Sequence, residues 1–199
     1  MTILYTKVSN DKIINWLKDN LSPERYMHSL GTAECAKNLA KKFGLNSEKA
    51  YVAGLLHDCA KCFSNEKLLE IIRQYLDINP IEMMNYKTLH APVSAYYAKT
   101  EFGVSDSDIL SAIRWHTLGK LDMSDFEKIV FLADKIEPNT RDKSYCDKVR
   151  EVLNDIDGLD KGLLICYKET IKSLVKRDLQ ICPVTIDIYN ILLSKICKD

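Results

Sequence analysis

Four histidines are all that this chain contains, His28, His57, His90 and His116, and two aspartates stand in suggestive places beside them. Asp58 directly follows His57, and Asp134 falls late in the helical stretch after His116. Imidazole and carboxylate are the donors of catalytic divalent-metal sites. The stretch LLHDCAKC at residues 55–62 lays a second signal over the first, because Cys59 and Cys62 have the CxxC spacing used for zinc or thiol redox chemistry. The other cysteines, Cys35, Cys146, Cys166, Cys182 and Cys197, are isolated and offer no second pair. A thioredoxin-like motif also needs a strand before its helix. Cys59 and Cys62 are therefore expected to be ordinary packed or surface thiols.

Bringing four distant histidines together is the work of the elements that carry them. Apolar residues recur at helical spacing almost throughout, and no alternating run is long enough for a strand. Ser9-Asn10-Asp11 opens a helix to Leu21, and Ser22-Pro23 opens the one that carries His28 to Gly44. Ser47 is expected to cap the helix that runs into His57-Asp58, and Ser64 the helix from Asn65 to Leu76. His90-Ala91-Pro92 starts another to Phe102-Gly103, Ser105 or Asp106 starts the one holding His116, and Ser124 the one holding Asp134. Further helices follow at Lys143 to Asp155, Leu159 to Lys176 and Pro183 to Cys197. The pattern predicts an all-α architecture, with each histidine on a different helix.

The bulk properties narrow the setting. At 199 residues, with 46% hydrophobic and 28% charged residues, a single soluble domain is the expectation, over 1–199. The 28 basic residues balance 28 acidic ones, so nothing draws the whole chain to nucleic acid or an anionic membrane. Seven scattered cysteines fit reduced thiols better than bridges. Without a signal-peptide pattern or an apolar run of about 18 residues, a cytoplasmic location is expected.

The order of the polar residues is what identifies them. A histidine, an adjacent His-Asp, two further histidines and a late aspartate resemble the HD-domain phosphohydrolases. The words RYMHSLGTAECA, AGLLHDCAK, LHAPVSA, IRWHTLG and FLADKIEPNTR are similar to those of the YqeK-type branch, bacterial symmetrically cleaving diadenosine tetraphosphate hydrolases. The resemblance covers about residues 21–150, and the C-terminal helices are expected to pack on that HD-domain helical bundle.

The resemblance implies a metal ligand set of His28, His57, Asp58, His90, His116 and Asp134. Six ligands are too many for one open catalytic metal and suit two metals that share a carboxylate. His28, His57, Asp58 and Asp134 would hold one, and Asp58, bridging, with His90 and His116 the other. Two cations about 3.5–4 Å apart can activate a shared water, as a bridging hydroxide, for in-line displacement at phosphorus. Iron is the expected metal, with Mn, Co and Zn as alternatives. Asp58 and Lys61 are the residues assigned a catalytic part, Lys61 lying three residues after Asp58 and on its face if the helix continues. Arg141, Thr117 and Arg25, with Lys135, are candidate phosphate contacts, and Tyr86 and Trp115 candidate partners for adenine.

The implied substrate is a dinucleoside polyphosphate, with diadenosine tetraphosphate giving two ADP as the specific expectation, and a homodimer as a possible assembly. Two departures bear on the nucleotide pocket and leave the metal set intact. DKSYCDKVRE follows Arg141 where a Pro-Gly turn is expected, and Leu118 stands where a second small hydroxyl often follows the His-Thr pair. The alternatives are another HD phosphohydrolase acting on a nucleotide or deoxynucleotide, and a nucleotide-sensing HD module without turnover. A cyclic-dinucleotide substrate is disfavoured by the lack of a GYP word. All six expected ligands are present, which favours catalysis over sensing.

Overall fold

The computed structural model describes residues 5–197. Ten α-helices and three short 3-10 turns form its regular structure, with no strand among the described residues. The helices are α1 (Asn10–Asn20), α2 (Pro23–Lys42), α3 (Ser47–Leu56), α4 (Asn65–Tyr75), α5 (His90–Thr100), α6 (Ser107–Trp115), α7 (Asp125–Ile136), α8 (Lys143–Val152), α9 (Gly158–Lys176) and α10 (Pro183–Ile196). None of the described helices is long and apolar enough to cross a membrane.

Side chains at the starts and stops explain most of these boundaries. Ser9, Ser22, Ser64 and Ser124 each accept a hydrogen bond from a first-turn backbone N–H. Ser124 and Glu127 form a reciprocal capping box. α2 ends where Gly44 takes φ 69°, and Leu45 N–H reaches back to Ala40 O at 2.8 Å. That is a Schellman stop, which a residue with a side chain adopts only at a cost.

The core forms around α2, α3 and α7. α7 is buried almost all round, with Phe126, Ile129, Val130, Phe131, Leu132, Ala133 and Ile136 inside, as a central helix must be. α2 and α3 meet through small residues: Ala33, Ala36 and Ala40 on one, Ala50, Ala53 and Gly54 on the other, all buried. A Cβ on Gly54 would stand 2.8 Å from Ala33 Cα, so this approach exists only because residue 54 has none. α6 packs on α3, α5 and α7, while α9 lies against α7, α8 and α10.

Two local expectations are corrected. The cap of α3 is Asn46 rather than Ser47, its side chain accepting from Glu48 N and Lys49 N at 3.1 and 3.0 Å. The longer Asn side chain reaches both donors from one residue earlier. α3 also does not continue through the His-Asp pair; it stops at Leu56 and is followed by a 3-10 turn, Cys59–Cys62. The stop is tertiary, because Ala60 N–H donates to Ser94 Oγ on α5 at 3.1 Å instead of to a carbonyl of its own helix.

Candidate metal centre

Six side chains from five helices converge beneath the surface. His28 projects from the second turn of α2, and His57 and Asp58 lie just past the end of α3. His90 opens α5, His116 follows α6, and Asp134 sits in the last turn of α7. His57 is 0% exposed and Asp134, the most open of the six, 5%, a depth at which a charge must be compensated. Most of these positions are helix ends, where the backbone can turn a side chain inward without breaking a ladder.

The donors form two groups joined by one carboxylate. His28 Nε2 lies 3.1 Å from His57 Nε2 and 2.9 Å from Asp134 Oδ1. His28 and His57 face Asp58 Oδ2 at 3.9 and 3.7 Å. On the other side, His90 Nε2 and His116 Nε2 are 3.1 Å apart and face Asp58 Oδ1 at 3.0 and 3.5 Å. Donors bound about 2.1 Å from one ion stand roughly 3.0–3.4 Å from each other at right to tetrahedral angles and up to about 4.2 Å at wider ones, so these spacings suit one ion per group.

Hydrogen bonding behind the rings decides which nitrogen faces inward. His57 Nδ1 donates to Gly54 O and His116 Nδ1 to Ile113 O, both at 2.7 Å. His28 Nδ1 donates to the Glu137 carboxylate at 3.0 Å. In their neutral forms all three rings therefore present a bare lone pair at Nε2. Two lone pairs 3.1 Å apart repel unless a cation sits among them, and this observation is what fits the site to a divalent metal.

The protonation states agree with that reading. Burial drives the His57 pKa down to about 3 and that of His90 down to about 4, so both rings are neutral near pH 7. Burial alone would raise Asp58, but His57, His90 and His116 outweigh it and hold its carboxyl well below the usual range. Asp134 is held low against burial by Lys135, His28, His57 and Arg141. His28 is the exception: burial lowers it, yet its contacts with Asp134 and Glu137 leave the pKa raised, a proton answering the same demand for positive charge.

Cations ring this centre. Arg25 donates to Asp58 Oδ2 at 3.0 Å, Lys135 to Asp134 Oδ2 at 2.7 Å, and Arg141 to Asp134 Oδ1 at 2.8 Å and to its carbonyl at 2.8 Å. Thr117 Oγ1 lies 3.0 Å from His116 Nε2 and 3.3 Å from His90 Nε2. Lys61 differs from the other cations. Half-buried, with its pKa lowered by burial, it has no hydrogen-bond or ion-pair partner among the described residues. The 3-10 turn keeps it on the Asp58 side because residues three apart eclipse there; Lys61 N–H bonds Asp58 O at 2.9 Å.

Two cavities lie at or beside the centre. One, of about 540 Å³, runs from Lys61 and His90 past Phe63 and Tyr86. The other, of about 150 Å³, is lined by Thr117, Lys135, Phe131 and Thr170. Gln180 lines both, and Arg177 the smaller. Both follow the end of α9, and nothing local in the sequence marks them as a cavity wall. Of the aromatic candidates, Tyr86 lines the larger cavity, whereas Trp115 lies under the Arg114 guanidinium, 4.1 Å from its ring centre. Glu137, which no sequence signal singled out, is a fully buried partner of His28.

The CxxC pair is spent on packing. Cys59 is buried with its thiol against Ser94 O at 3.6 Å, and the Cys62 thiol donates to Cys59 O at 3.3 Å. Burial raises both pKa values, which keeps them as unreactive thiols.

The HD domain family matches residues 25–139. The chain is 39% identical over 187 residues to the symmetrical bis(5'-nucleosyl)-tetraphosphatase of Halalkalibacterium halodurans, covering 94% of this chain and 98% of that one. It is 37% identical to the protein of that name from Bacillus subtilis, covering 94% and 99%. A crystal structure from Clostridium acetobutylicum, described as an HD superfamily hydrolase involved in NAD metabolism, superposes with a TM-score of 0.86 at 38% identity, over 94% of this chain and 98% of that one.

Proposed function

Because this chain belongs to the HD-domain family, and within it to the symmetrical bis(5'-nucleosyl)-tetraphosphatases, we propose that it hydrolyses diadenosine tetraphosphate at the central bridge to give two ADP. Water adds to one of the two middle phosphorus atoms, and the bond to the bridging oxygen breaks. One ADP leaves with that oxygen and the other keeps the oxygen of water. The observation that supports the reading best is the set of inward-facing lone pairs beside two ionised carboxylates, which suits two divalent ions.

In this reading His28, His57, Asp58 and Asp134 hold one ion, and Asp58, His90 and His116 the other, with iron as the native metal. Two divalent cations there, when bound, supply Lewis acidity at phosphoryl oxygens and lower the pKa of a water. The chain's own residues do the rest. Asp58 holds the two groups in register through its two oxygens. Lys61, the half-buried cation without a protein partner among the described residues, is free to donate to a phosphoryl oxygen, and its ammonium offsets charge that grows in the transition state. Arg25 and Arg141, at the rim, contact the flanking phosphates, and Thr117 orients an oxygen near His90 and His116.

The test is direct. Protein loaded with Mn(II) or Fe(II) and incubated with diadenosine tetraphosphate should release ADP as the sole nucleotide product. AMP together with ATP would contradict symmetrical cleavage, and nucleotide binding without turnover would point to a sensing module.

A further inference from the structure

The histidines of the centre are not all steadied from behind, nor in one way. His57 and His116 use the carbonyl three residues earlier in the chain. His90 Nδ1 has no partner among the described residues. Only His28 is backed by a carboxylate, Glu137, from a residue 109 positions away. That carboxylate is itself fixed. It accepts from Asn139 N at 2.6 Å, from Thr140 N at 3.0 Å and from the Thr140 hydroxyl, as well as from His28. Four donors saturate its lone pairs, and it is 0% exposed.

The chain spends sequence on this arrangement. Glu137 precedes Pro138 and leaves the helix with ψ 143°, the extended conformation a following proline favours. This turns its side chain back under α2, while the N–H groups of Asn139 and Thr140 fold over it. The opposite wall is Gly31, three residues after His28 and on the same face of α2. A Cβ at residue 31 would lie 2.4 Å from Glu137 Oε2 and 2.8 Å from Asn139 Nδ2. Asn139 cannot step aside freely, since its amide also donates to Met27 O at 2.9 Å.

We propose that Glu137 is a positioning residue that fixes His28 with its proton on Nδ1 and its lone pair on Nε2 toward the centre, and that Gly31 is the residue that makes room for it. The proposal rests on the reading of the site as a metal centre in one respect, that the fixed lone pair strengthens metal binding. A carboxylate behind a ligating imidazole orients the ring and raises its basicity, and losing such a partner typically costs about 10–100-fold in affinity. An acceptor with no hydrogen of its own forces the tautomer; an amide in its place does not.

The experiment uses the full chain, with Mn(II) as probe. In E137Q, Mn(II) affinity by titration calorimetry is expected to fall about 10–100-fold. Nitrogen-15 spectra of metal-free protein at alkaline pH should show His28 passing from the Nδ1–H form to a mixture, while His57 and His116 keep theirs. G31A, which leaves the carboxylate in place chemically but displaces it, should produce both changes, and E137D should recover part of the affinity. Should E137Q not fold, G31A and E137D decide the matter. A folded E137Q with unchanged affinity and an unchanged His28 tautomer would overturn the proposal. So would one whose affinity falls while the tautomer stands, since Glu137 would then act only through general stability. Failure of the wild-type chain to take up Mn(II) would count against the metal centre alone, and the tautomer comparison would still decide the role of Glu137.

Discussion

Asp58 and Lys61 stand three residues apart and, in the proposed function, divide two kinds of work, one toward metal and one toward phosphate. Asp58 turns one oxygen to each histidine pair, so Asp58→Ala removes the shared donor from both. Metal content and turnover should then disappear together, and retention of metal with lost activity would contradict the bridging assignment. Lys61 faces the larger cavity without a protein partner. Lys61→Ala should keep its metal and lose about 10²-fold in kcat/KM, the scale of a lost transition-state donor. The pH profile tests the same residue independently. Burial lowers the Lys61 pKa from 10.5, so its charge is lost at a lower pH than that of an exposed lysine, and activity that needs the charge falls with it on the alkaline side. Lys61→Arg keeps the charge over that whole range. Its alkaline limb should therefore move to higher pH, and a limb that stays put would assign the titration to another group.

Between residues and fold stand the helices, and here the close packing of α2 on α3 sets the distance between His28 and His57. Gly54→Ala would place a methyl 2.8 Å from Ala33 Cα and 2.9 Å from Thr32 O, both backbone atoms that cannot rotate away. Overpacking of this kind costs about 1–3 kcal/mol. Urea unfolding should show that loss, and Mn(II) affinity should fall with it as the two histidines are pushed apart; a variant that is destabilised yet binds metal as before would show that the spacing is not what holds the site. The helices themselves were legible because their signals are local. Ser22-Pro23, Ser64 and Ser124 mark starts by the hydrogen bonds of a single turn, and the apolar repeat marks the buried faces. Where a boundary is made by a distant partner the sequence is silent. The end of α3 depends on the Ser94 hydroxyl of α5, and the same blindness hid Glu137, whose reason for being buried lies on α2. The candidate ligand histidines could be found only because four of them, with two aspartates, fall in a recognisable order.

At the scale of the whole molecule, the centre is where α2, α3, α5, α6 and α7 meet, so five helices depend on one buried polar cluster. Without a cation, His28 must take a proton or leave its lone pair against that of His57. Asp58 and Asp134 then rely on imidazoles and on Arg25, Lys135 and Arg141 for compensation. A divalent ion satisfies all of these demands at once and is not bound by the unfolded chain in this arrangement. Metal must therefore stabilise the native state by mass action, about 2.7 kcal/mol when free metal is a hundredfold above its dissociation constant. For a chain of 199 residues, each kcal/mol moves the melting temperature by about 2–4 °C. Chelation should accordingly lower the melting point by several degrees, and added Mn(II) should restore it. The control is Asp58→Ala, in which both groups lose their common donor: its melting point should no longer respond to chelator or metal. An equal response in that variant would mean that the stabilising ion binds elsewhere, and the five-helix junction would owe its stability to packing rather than to metal.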